Sequence, residues 1–156
     1  MIAIIALGSN RGDRAAELRA AVAAMARAGM GVAQVSRLLE TRPQGATGRR
    51  WFVNAVAQVE TDLLPRVLLR RLRAIELRQG RGRAGWPGKN TPRRLDLDLL
   101  FYGRARIHTP ELEVPHPRWR EREFVLQGLR ELSALPGGRG APGGRGSQAW
   151  RPAAAG

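Results

Sequence analysis

The sequence predicts an α+β fold: a split β-α-β sandwich of the ferredoxin-like kind, with helices packed on a mixed or antiparallel sheet. Three observations lead there. The elements read in the order β-α-β-β-α-β. Two segments carry apolar residues at helical spacing, Leu18, Val22 and Met25 in one and Leu68, Leu72 and Ile75 in the other. Residues 95–99 alternate, with Leu95, Leu97 and Leu99 facing one way and Asp96 and Asp98 the other. In such a sandwich both helices share one face of the sheet, which leaves the opposite face to the aspartates.

Taken in order, residues 2–7 are an apolar run that meets Gly8, Ser9 and Asn10, a strand followed by a turn. The run is too short for a signal peptide and has no basic start. Asp13 is placed to N-cap a helix over 14–28. Residues 32–40 and 52–60 read as the second and third strands, with a loop punctuated by Pro43, Gly45 and Gly48 between them. Thr61 or Asp62 is placed to cap the second helix, Pro65 falls in its first turn and Gly80 ends it. Residues 81–92 are a basic, glycine-bearing loop of a length that is usually functional inside a compact domain. The fourth strand covers 95–102, and a third helix over 124–132 covers another part of the sheet. Residues 1–135 thus form one domain. Residues 136–156, rich in glycine, proline and arginine and free of acid, read as a flexible tail.

A chain of 156 residues suffices for one domain with a real core. No apolar run approaches the ~18 residues of a membrane span, so the protein is expected in the cytoplasm and without membrane contact; it is also expected as a monomer. There are no cysteines and only two histidines, which removes disulfides, thiolate metal sites and cysteine nucleophiles; any metal is held mainly by carboxylates. The net charge is +14, and Lys89 is the only lysine. Arginine forks suit phosphate, which points to nucleic acid or a small polyphosphate as partner. For most of the arginines, however, an arginine- and alanine-rich composition reads as codon bias.

The aspartate pair carries the chemical argument. Two carboxylates at i and i+2 of a strand lie roughly 6 to 7 Å apart with like charge, in an element that disfavours aspartate. They suit Mg²⁺, which takes its remaining ligands from water and substrate phosphates; they equally suit a solvated strand face paired to arginines. Upstream, Arg81, Arg83, Lys89, Arg93 and Arg94 gather cations on and beside the glycine-bearing loop, the arrangement that phosphoryl transfer or a nucleic-acid patch would use. Glu76 borders the apolar stripe of the second helix and needs a partner, either Arg73 or a polar ligand. Trp51 and Phe52 are placed either to floor a pocket for a flat ring or simply to pack. His116, between two prolines, and Asn54, alone on its strand, are weak signals by themselves, and Gly8 to Gly12 lacks the spacing of a known phosphate loop.

Together these pieces resemble the 6-hydroxymethyl-7,8-dihydropterin pyrophosphokinases of folate biosynthesis. The resemblance rests on "ALGSN" at Ala6, "ETRPQG" at Glu40, "FVNA" at Phe52, "IELRQGRGR" at Ile75, "PRRLDLDLLFYG" at Pro92 and "VPHPRWREREFVL" at Val114. It implies an ATP-dependent enzyme that transfers pyrophosphate to the pterin's hydroxymethyl oxygen and releases AMP. By position it implies that Asp96 and Asp98 bind two Mg²⁺ ions and that Arg81 and Arg93, with Arg83 in support, engage the phosphates. Arg73, Glu76, Leu99, His116 and Arg122 match nucleotide-site positions; Gly8, Thr41, Pro43, Gln44, Phe52, Asn54 and Phe124 match the pterin pocket. Two departures stand out: Asn90 and Thr91 occupy the place of a loop tryptophan, and Glu111 that of an arginine. The competing readings are a basic nucleic-acid-binding module and a pterin-binding relative that has lost transfer. The first expects basic and aromatic residues along the open strand face, where this chain has aspartates. The expected partners are therefore ATP and the hydroxymethyldihydropterin, and not nucleic acid.

Overall fold

The computed structural model describes residues 1–42, 51–79 and 95–134. In chain order the elements are β1 (Ile2–Ser9), α1 (Arg14–Arg27), β2 (Gly31–Val35), β3 (Leu39–Thr41), β4 (Phe52–Glu60), α2 (Pro65–Arg78), β5 (Asp96–Tyr102), β6 (Ile107–His108), β7 (Glu113–Val114), a 3-10 turn (Trp119–Glu121) and α3 (Glu123–Ala134). The main sheet runs β2-β4-β1-β5, with β3 added to the far part of β4, and every pairing is antiparallel. This is the split β-α-β arrangement that the order of elements predicts. No helix among the described residues is long and apolar enough to cross a membrane.

The two helical stripes behave as their spacing requires. Leu18, Val22 and Met25 of α1 and Leu68, Leu72 and Ile75 of α2 are all buried, in one cluster with Ile5, Leu7, Leu95, Leu97 and Leu99 of the sheet. Asp13 caps α1: its Oδ1 accepts from the Ala16 N–H at 3.1 Å. A smaller cluster on the other face joins Ala6, Val56 and Leu100 to Val125 and Leu132 of α3.

Three local expectations need correction. The strand expected over 32–40 is two strands, because Ser36 breaks the ladder: its N–H donates to Val56 O at 2.8 Å, while its hydroxyl accepts from Val56 N–H at 2.8 Å. A side chain thus stands in for a backbone partner. Neither Thr61 nor Asp62 caps α2; the N-cap is Leu64, without a side-chain bond, and Pro65 starts the helix. The Thr61 hydroxyl instead donates to Gly29 O and accepts from Leu63 N–H, tying the turn before β2 to the turn before α2. The alternation expected over 95–99 holds and continues to Leu100 on the α3 face; Phe101 then faces the same way, because Leu100 is a surplus residue between the pairs Ile5–Leu99 and Ile4–Phe101. Finally, the face opposite α1 and α2 is not open throughout, since α3 covers the part over Val56 and Leu100. Gly80, expected to end α2, lies outside the described residues; the helix ends at Arg78 with Gln79 as C-cap.

Close approach of α3 depends on Gly128, where a Cβ would lie 2.5 Å from Val56 Cγ2 and 2.8 Å from Val56 Cβ. Gly128→Ala is therefore expected to lower stability by about 1–3 kcal/mol despite alanine's better helix propensity. Thermal denaturation checks this, and a Gly128→Ala, Val56→Ala double variant should recover part of the loss if the clash is the cause.

Candidate active site

The uncovered part of the α3 face is organised by strand register. Asn54 of β4, Gly8 of β1 and Asp96 of β5 form one row across three strands, and Val56, Ala6 and Asp98 the next. Asn54 and Asp96 thus flank a strand position that has no side chain. A Cβ on Gly8 would meet Asn54 Oδ1 at 2.9 Å and Phe52 Cδ1 at 3.8 Å, so the amide and the ring both lean over the glycine. Asn54 is buried, and its Nδ2 donates to the Thr41 hydroxyl on β3. Thr41 and Phe52 are themselves paired across β3 and β4. Phe124, at the start of α3, packs partly buried against the smaller cluster. Gly8, Thr41, Phe52 and Asn54 are therefore brought together, as the resemblance implies, with Phe124 at the N-terminal end of the covering helix. Pro43 and Gln44 lie outside the described residues.

Asp98 is engaged by Arg122, whose Nη1 is 2.8 Å from Asp98 Oδ2, with both side chains a little over a quarter exposed. Arg122 sits between the 3-10 turn and α3, so one short segment supplies both the cation beside Asp98 and the helix that bounds the face. His116 is held to β5 through its own N–H, which donates to Leu100 O at 2.9 Å. Its Nδ1 accepts from the Arg118 N–H at 3.1 Å, which puts the ring proton on Nε2. Burial holds its pKa below the ordinary histidine value; the Asp98 carboxylate pulls it up, and Arg122 and Arg118 push it down. The imidazole is thus neutral at neutral pH, with a donor available on Nε2.

Glu76 bonds the sheet and not Arg73. It is 3% exposed, and its Oε1 accepts from the Leu97 backbone N–H at 2.8 Å, between the two aspartates. Since β5 ends the sheet, this N–H has no strand partner, and the buried carboxylate supplies one. Arg73 instead reaches Glu111, donating to its carbonyl at 3.4 Å, and is exposed on α2. Leu99 turns its side chain into the larger core, away from the aspartates. Arg81, Arg83 and Arg93 lie outside the described residues. Trp51 offers no buried floor: it is 43% exposed, with the Arg42 guanidinium 5.4 Å from its ring centre.

Several neighbours of the site carry no sequence signal of their own. Trp119 packs edge-on against Phe101 with ring centres 5.1 Å apart, and the Arg120 guanidinium lies over the Trp119 ring, 4.5 Å from its centre. Arg14 bonds to both Glu40 and the Trp51 carbonyl. The one available hint was that Arg14 opens a helix, where a cation opposes the dipole.

Among the described residues no group of three or more His, Cys, Asp or Glu side chains is placed to hold a metal. The available donor set is the Asp96 and Asp98 carboxylates, both only partly buried on one face. Two hard oxygen ligands on a wet face fit a cation that keeps waters and shares substrate phosphates, and do not fit a closed structural site. Among the described residues, the two rows Asn54–Gly8–Asp96 and Val56–Ala6–Asp98 carry carboxylates and no basic or aromatic side chain.

Fold and face define a class, a pyrophosphokinase-type α+β domain, and the comparisons agree. Residues 4–134 match the model of the 7,8-dihydro-6-hydroxymethylpterin-pyrophosphokinase (HPPK) family, and the chain belongs to that family. It is 45% identical over 132 residues to a 2-amino-4-hydroxy-6-hydroxymethyldihydropteridine pyrophosphokinase of Bacillus subtilis (strain 168), covering 84% of this chain and 77% of the relative. It is 44% identical over 129 residues to a mitochondrial folate synthesis bifunctional protein of Arabidopsis thaliana, of which it spans 23%. The crystal structure of an HPPK-DHPS in complex with substrates shares the fold with a TM-score of 0.62 at 15% identity, covering 84% of this chain and 40% of that one.

Proposed function

We propose that this chain transfers the β,γ-pyrophosphoryl unit of ATP to the hydroxymethyl oxygen of 6-hydroxymethyl-7,8-dihydropterin, giving the pterin diphosphate and AMP. The observation that carries the reading is the Asn54–Gly8–Asp96 row: a polar reader and a carboxylate on one face, separated by a strip where the strand carries no side chain of its own and the Asn54 amide and Phe52 ring lean in. A flat ring can lie on that strip, with Asn54 matching its polar edge and Phe52 stacking on it. The pterin oxygen forms a bond to the β-phosphorus, the bond from that phosphorus to the α,β-bridging oxygen breaks, and AMP leaves. The hydroxyl proton passes to Asp96, which lies in the same row as the ring.

Asp96 and Asp98 would hold Mg²⁺, two ions as the family resemblance implies; bound there, the metal supplies phosphate charge neutralisation and acidifies the attacking hydroxyl. Arg122, already beside Asp98, is positioned to meet a phosphate there, and Nε2–H of His116 donates to the nucleotide. Arg81 and Arg93 stabilise charge on the transferring group. The protein works as a cytoplasmic monomer on these two small substrates, with the activity in residues 1–135.

AMP formation decides the reading. With Mg²⁺, ATP and the reduced hydroxymethylpterin, AMP and pterin diphosphate should appear in equal amounts, and neither should form when the pterin or the Mg²⁺ is left out. Absence of AMP with all three present, from protein that melts cooperatively, would overturn it.

A further inference from the structure

Arg14 is the first residue of α1, where a cation gains nothing from the helix dipole. Its side chain is used across the molecule instead. Nη1 donates to the Trp51 carbonyl at 2.7 Å and Nη2 to Glu40 Oε1 at 3.1 Å. Glu40 lies in β3, and Trp51 directly precedes β4, so one guanidinium joins both chains at the loop-connected end of that pair. The next pair is Thr41–Phe52, and the Thr41 hydroxyl accepts from Asn54. With three residues, β3 has few ladder bonds to hold its register. Glu40 is 59% exposed, so the ion pair adds little as charge alone; what the fork adds is geometry, because a planar guanidinium bonded to two acceptors fixes the distance between them.

We propose that Arg14 is a positioning residue for the pterin pocket: it clamps the loop-connected end of β3 and β4 so that Thr41, Phe52 and Asn54 present one fixed surface to the ring. The proposal rests on the pterin reading above, and its test separates the two. In the full chain, Arg14→Ala should weaken equilibrium pterin binding by about tenfold, the scale of a small misplacement of contacting groups. Affinity for a non-hydrolysable ATP analogue should stay within about twofold, because the clamp lies on the side of the face away from Asp98. Amide exchange at Thr41 and Phe52 should accelerate in the free protein, and Arg14→Lys, which keeps one bond, should fall between. Unchanged exchange and unchanged pterin affinity in Arg14→Ala would overturn the clamp, as would equal loss of both ligands together with a collapsed melting temperature. If the parent chain bound no pterin at all, the function reading would fall and the pocket role with it, while the exchange rates would still show whether Arg14 holds the strands.

Discussion

Asp96→Asn and Asp98→Asn are each expected to cut pyrophosphoryl transfer by about a thousandfold, the upper scale for removing a preorganised group aimed at developing charge, while the fold persists. Asparagine keeps the shape and one acceptor oxygen but removes the charge on which a divalent cation depends. The fold should be indifferent because both side chains are only partly buried, and the Arg122–Asp98 pair is exposed enough to be worth little. AMP release at saturating Mg²⁺, measured alongside a thermal melt, checks the claim. Full activity in both variants would rule out a two-carboxylate site; a milder loss at Asp96 than at Asp98 would only redistribute their roles.

Gly8→Val should have the next largest effect, and on the other substrate. Gly8 does not occupy the left-handed region, so a side chain there tests space and not backbone conformation. The first added carbon would lie 2.9 Å from Asn54 Oδ1, and the valine methyls would push against the Asn54 amide and the Phe52 ring. Overpacking on the scale of about 1–3 kcal/mol corresponds to roughly tenfold to a hundredfold weaker pterin binding. Gly8→Ala should do less, and neither should change ATP-analogue affinity by more than about twofold. Titration of both ligands separates the outcomes: equal weakening of pterin and nucleotide would mean that the substitution disturbs the sheet and not a ring site.

Much of this was legible because periodicity and spacing are properties of single residues and their neighbours. Leu18, Val22 and Met25 needed only helical spacing to be placed in the core, and Asp13 only its position before an apolar segment. The face shared by Asp96 and Asp98 followed from period-2 alternation. What was not legible depends on partners distant in sequence. Glu76 bonds a backbone N–H, which has no identity in a sequence, so its pairing with Leu97 could not be read from side-chain types. Ser36 looks like any strand serine until Val56 is set beside it. The Arg14 clamp joins residues from three segments, and β6 and β7 are too short for any period to show.

The surplus residue in β5 has a consequence for how this strand tolerates change. Asp96 and Asp98 lie before Leu100 and Tyr102 after it, and the Tyr102 hydroxyl donates to Leu63 O at 2.8 Å on the opposite side of the sheet. The strand therefore carries two reading phases, and Leu100 is the joint between them. Removing Leu100 would leave an unbroken alternation in which Asp96, Asp98 and Tyr102 all keep their faces, whereas flattening the bulge with every residue kept would leave only one phase: either the carboxylates keep their face and Tyr102 swings away from Leu63, or Tyr102 stays and both carboxylates are driven into the helical core. The extra residue and the bulge thus belong together: the strand can lose both at once and keep its two faces, whereas losing the bulge alone sets the chemistry against the fold.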